Sequence, residues 1–141
     1  MFDATVNRML VGLVVAFAAG CNVFTESPPG SSSSTGTYTL QSVNNAPLPY
    51  TTSQTAMVKT EIIDDTIKLF QGGTFARTFH TRTTTNGQAT NTANTRTGTW
   101  AIGMGATITL TANEDRASMI VNINARRMTS VLEGNNYLYT K

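Results

Sequence analysis

From Gly36 to the end of the chain, apolar and polar residues alternate in short runs, and turn-forming residues interrupt the runs at close intervals. In ATITLT, residues 106–111, Ile108 and Leu110 share a face with Ala106, while Thr107, Thr109 and Thr111 share the other. A period of two is that of a half-buried strand. TIKLF at 66–70 places Ile67 and Leu69 inward and Lys68 outward, and MIVNI at 119–123 groups Met119, Val121 and Ile123. No amphipathic helix of useful length emerges. Turn signals at Asp64-Asp65, Gly72-Gly73, Asn86-Gly87, Asn113 to Asp115, Asn124-Ala125 and Gly134 to Asn136 predict strands near 36–43, 57–63, 66–70, 74–84, 93–102, 106–111, 117–123, 127–132 and 136–140. Short turns make neighbours antiparallel, and closure removes exposed edges. The expectation is an all-β fold, a small antiparallel up-and-down meander or barrel of about eight to nine strands.

The first thirty residues break this pattern. MFDATVNR is followed at 9–20 by MLVGLVVAFAAG, an unbroken apolar and small-residue run that ends at Cys21. That run is shorter than the ~20 residues a helix needs to cross a bilayer and has the length of a signal-peptide core. Beyond the cysteine, NVFTESPPGSSSSTG has the Pro, Gly and Ser content of a flexible tether. The chain therefore divides into a signal peptide at 1–20, a tether at 21–35 and one folded domain at 36–141, the single domain that a length of 141 residues accommodates.

Composition agrees with an extracytoplasmic β-protein and excludes several activities. Threonine, whose branched Cβ suits the pleated strand surface, is the commonest residue, and charged residues make up only 13%. A net charge of +2, with Arg126-Arg127 the sole adjacent basic pair, argues against nucleic acid as a partner. With Cys21 the only cysteine, no disulfide can form within the chain. The acidic pairs Asp64-Asp65 and Glu114-Asp115 lack the spaced ligand run of a calcium loop and read as turn formers, while His80, the only histidine, leaves zinc without partners. No cofactor or metal is expected. Ser-His-Asp catalysis lacks a nucleophile-elbow phrase, so the reading is non-enzymatic.

Ala18, Ala19, Gly20 and Cys21 resemble the lipobox of bacterial lipoproteins, with Ala18 where Leu is usual. The resemblance implies cleavage after Gly20 and acylation of Cys21, which would hold the protein to a membrane through its lipid. Asn22, in place of the Asp that often marks inner-membrane retention in that family, implies the outer membrane, facing the periplasm or the cell surface. The phrases GTYTLQSVNNAPLP, IKLFQGGTF, GTWAIGMGATITLT and GNNYLYTK resemble the lipocalin-like domains of small bacterial lipoproteins. In the wider lipocalin group a first-strand Gly-x-Trp packs against a basic residue near the last strand. Gly36-Thr37-Tyr38 stands where that motif would, with Tyr for Trp, and Lys141 ends the final strand. Those departures leave the closing contact open.

Alternation within TFARTFHTR puts Phe75, Arg77 and Phe79 on one face, and within RTGTWAI it groups Arg96, Gly98, Trp100 and Ile102. If no bulge intervenes, Phe75, Arg77, Phe79, Arg96 and Trp100 form an inner pocket for a small apolar or amphipathic ligand, the arginines forking onto an anionic group and the aromatics supplying an apolar wall. The alternative is a barrel filled by Phe70, Phe75, Phe79, Trp100 and aliphatics, acting as a structural or protein-interaction module through its loops and the polar hairpin at 81–99.

Overall fold

The alternating runs build ten strands after a one-turn helix α1 (Ser31–Ser34): β1 (Gly36–Val43), β2 (Ala46–Pro47), β3 (Tyr50–Gln54), β4 (Val58–Leu69), β5 (Thr74–Thr85), β6 (Gln88–Ile102), β7 (Thr107–Ala112), β8 (Ser118–Asn124), β9 (Arg127–Leu132) and β10 (Asn135–Thr140). This computed structural model describes residues 31–141; the signal-peptide reading and Cys21 lie outside the described residues. From β4 to β10 each strand pairs antiparallel with the next, and β1 pairs with both β10 and β4. Eight strands thus close into an up-and-down barrel, with β2 and β3 appended to its wall. Closure and core both lie within residues 36–141.

An eight-stranded barrel leaves an interior that side chains nearly fill. Tyr38, Ile67, Leu69, Ile108, Leu110, Val121, Met128 and Tyr139, all buried, occupy it. Two bulges set the register. In β1 the shift between Leu40 and Ser42 makes Gln41 the extra residue, so Tyr38, Leu40 and then Val43 face inward. In β4 the shift between Ile62 and Asp64 makes Ile63 the extra residue, so Ile62 and Asp65 both face inward with Ile67 and Leu69.

The second bulge corrects the sequence reading. Asp64-Asp65 is no turn but the middle of a single long strand, because Asp65 is held inside the barrel by a cation on β5. The strands β2 and β3 were unanticipated, since the prolines at 47 and 49 mask the pattern there. The remaining turns fall where expected; Asn86 (φ 49°) and Gly87 (φ 81°) form the left-handed two-residue hairpin between β5 and β6.

At one end of the barrel Lys141 closes over Tyr38 and Gly36, a contact the sequence left open. Lys141 Nζ lies 5.7 Å from the Tyr38 ring centroid, and a Cβ added to Gly36 would come within 2.5 Å of Lys141 Cε. The Lys141 ammonium also reaches the carbonyl oxygens of Ser33 and Thr35, and Tyr38 Oη donates to Ser34 O at 2.9 Å. These contacts draw α1 against this end, which is the closed one.

Candidate functional site

Opposite the plugged end, the inner face of β5 and β6 carries two arginines in direct register, Arg77 against Arg96. Like charges directly opposite on one face repel, and each is met by its own acid. Asp65 on β4 accepts from Arg77 Nε (3.1 and 3.0 Å) and Nη2 (2.6 Å), and Tyr139 Oη donates to the same carboxylate at 2.8 Å. Arg96 Nη2 lies 3.2 Å from Asp115 Oδ2 in the β7–β8 loop, at the surface.

The Asp65 network is a buried ion pair with a phenol as third member. Asp65 is 1% exposed and Tyr139 fully buried. Burial raises the Tyr139 phenol above its ordinary value and the neighbouring Asp65 charge adds to this, so it stays a neutral donor. For Arg77, burial works against the charge, but the hydrogen bonds and charge of Asp65 outweigh it and the guanidinium is held above its usual range. Phe79 stacks on Arg77 with its ring centroid 5.2 Å from Cζ.

One side of this guanidinium remains open. Among the described residues Arg77 Nη1 meets Met119 Sδ at 3.8 Å and no oxygen. It faces a cavity of about 250 Å³ at the barrel mouth, walled by Phe75, Leu110, Ala112, Met119 and Leu132, with Arg96, Ser118 and Glu133 among its polar lining. The cavity exists because β6 leaves β7 above Gly98, where their pairing ends. Gly98 itself admits no side chain: a Cβ there would stand 2.0 Å from Thr111 O and 2.7 Å from the Phe75 ring.

Of the five residues expected to form a pocket, the structure brings Phe75, Arg77 and Arg96 around one cavity and sets Phe79 beside Arg77. Trp100 is elsewhere. It faces inward near the closed end, where its indole Nε1 donates to Phe70 O at 3.0 Å. Phe70 is not part of the interior, being 37% exposed under Lys68. Sequence reasoning missed Asp65, Tyr139, Met119 and Leu132; the inward parity of Met119 was visible, but a buried aspartate declares itself only through a partner on another strand. His80 sits on the outer wall with Nδ1 2.5 Å from Asp64 Oδ1.

Beyond the mouth, β4, β5 and β6 run on as a projecting sheet. Its outer face carries Glu61 bridging Lys59 (2.6 Å) and Arg82 (2.9 Å), whose side chains cover it; Lys59 and then Arg82 hold its carboxyl below the usual range. The two-residue turn makes Thr85 and Gln88 a hydrogen-bonded pair, so even-numbered residues of β6 direct N–H and C=O to β5 and odd-numbered ones away. Thr97 obeys this parity, accepting from Asn113 N at 2.9 Å and donating to Glu114 Oε1 at 3.2 Å. Ala89, Asn91, Ala93 and Thr95 present theirs to an edge with no strand beside it among the described residues. Comparison of the chain with protein-family models, with curated proteins and with solved structures found no match.

Proposed function

We propose that this protein is a non-enzymatic bacterial lipoprotein, anchored to the outer membrane through Cys21, whose lipocalin-like barrel binds a small amphipathic ligand bearing one anionic group. The observation that carries this reading is the mouth cavity itself. Apolar walls from Phe75, Leu110, Met119 and Leu132 surround Arg77, whose Nη1 meets only the weak acceptor Met119 Sδ, with a second guanidinium, Arg96, at the rim. Such a constellation, mostly apolar with a few fixed polar groups, is what a small-ligand site requires. Its 250 Å³ accommodates a small acid or the head and first carbons of a longer one. Glu133 in the lining disfavours a second negative charge. The seal of Lys141 over Tyr38 supports the lipocalin-like reading of the fold, and the lipobox-like run AAGC supports the anchor.

The open edge of β6 favours a second reading, a protein-interaction module in which a partner strand pairs with Ala89 to Thr95. Native mass spectrometry of residues 31–141, purified gently, separates the two. The ligand reading expects a non-covalent adduct, or uptake of an added medium-chain fatty acid, that is lost in Arg96→Ala and in Ala117→Trp, which blocks the rim. A clean mass that takes up no anionic amphiphile would overturn it and leave the edge as the working surface. Arg77→Ala is the wrong probe, because it strands Asp65.

A further inference from the structure

The closed end of the barrel differs from the rest of the described surface in combining exposed apolar tips with cations and no acids. Antiparallel alternation brings four features together there: the β4–β5 turn (70–73), the β6–β7 turn (103–106), the β8–β9 turn (125–126) and the junction of α1 with Lys141. At these tips Met104 is 92% exposed, and Ile102 and Phe70 are exposed beside glycines and alanines. Lys68, Arg126, Arg127 and Lys141 stand around them. No Asp or Glu occurs at 31–38, 66–75, 100–108, 122–128 or 138–141, whereas Glu114, Asp115 and Glu133 all lie in the loops of the mouth.

Exposed apolar tips within a cationic ring are the chemistry that seats a protein on an anionic bilayer: the apolar groups enter the headgroup boundary and the cations meet lipid phosphates. We infer that the closed end of this barrel is a membrane-docking face for anionic lipid, with Met104, Ile102 and Phe70 as the inserting residues and Arg126, Arg127, Lys68 and Lys141 as the cationic rim. Charge selects the occupant. A protein partner with an apolar patch would not call for a rim stripped of acids. An open groove of about 670 Å³ between Ala106, Ile123, Ala125, Arg126 and Arg127 offers room for a headgroup at that rim. α1, the first described element, lies at this same end, so a bilayer here is on the side on which the described residues begin.

The inference does not depend on acylation, and the test leaves Cys21 out. The barrel of residues 31–141, its fold verified by far-ultraviolet circular dichroism, is floated with vesicles of phosphatidylcholine alone and of phosphatidylcholine with phosphatidylglycerol. It is expected to float with the second, to be released by high salt, and to ignore the first. At ~1 kcal/mol per basic residue near the surface, Arg126→Gln with Arg127→Gln lowers the partition about 30-fold. Met104→Asp abolishes flotation, and Arg116→Gln, at the mouth, leaves it unchanged. Absence of binding to either vesicle, or equal weakening by Arg116→Gln, overturns the inference. Because the mouth cavity is at the other end, a failure here leaves ligand binding untouched, and the reverse also holds.

Discussion

Arg77 is the residue on which the candidate site turns. Alternation placed it inward beside Phe75 and Phe79, and its register against Arg96 follows from the hairpin turn at Asn86-Gly87. Its partner was illegible: Asp65 reads as half of a turn-forming pair until a bulge at Ile63 turns it into the barrel, and only the three-dimensional approach of β4 to β5 shows why a carboxylate is tolerated there. Removing one member of such a pair leaves the other charge buried and alone. Asp65→Asn should destabilise by about 3–5 kcal/mol in urea unfolding, whereas Asp65→Leu with Arg77→Met should recover most of that loss. If the double variant is as unstable as the single, the pair is not what holds these positions.

Among the elements, β6 shows how one strand serves two roles. Its C-terminal part, Gly98 to Ile102, is a paired wall of the barrel, and its N-terminal part is the rim of a projecting hairpin. The sequence distinguishes the two plainly, since residues 81–99 hold little that is apolar apart from alanines. It does not disclose which backbone groups are free. Parity does, and it makes a sharp expectation: Ala93→Pro removes an N–H that no strand uses and should change stability little, whereas Thr92→Pro deletes the donor that faces Thr81 and should cost about 3 kcal/mol or more. Thermal unfolding of the two variants checks this. A larger loss in Ala93→Pro than in Thr92→Pro would show that the β5–β6 register is shifted by one, and equal losses that the outer edge of β6 is itself paired.

Across the described residues charge is sorted along the barrel axis, with cations that meet no Asp or Glu there at the closed end and acids in the loops of the mouth. Two acids outside the buried network affect pH behaviour. Lys59 and Arg82 hold Glu61 below the ordinary value of 4.5, and the backbone N–H groups of Glu114 and Thr97 do the same for Glu114. A carboxyl whose folded value is lowered contributes stability that is complete above its unfolded value and lost as pH falls through the folded one. The urea midpoint should therefore decline as pH drops below that ordinary value, and more shallowly in Glu61→Gln with Glu114→Gln. An unchanged slope in the double variant would assign the decline to other acids. At this scale the all-β barrel was legible because alternation and turns recur along the chain, while the sorting of charge was not, since it depends on which turns share an end.

The double pairing of β1 sets the order in which this molecule can be finished. Among the described residues β1 is the first strand along the chain, and one of its neighbours, β10, is the last. Until residues 135–140 arrive, Tyr38 and Leu40 belong to a sheet with an unzipped side, and no amount of hairpin formation among β4 to β9 can supply the missing strand. Closing so long a loop is slow relative to forming the local hairpins. Closure of the barrel therefore waits on β10, and with it the seating of Lys141 over Tyr38.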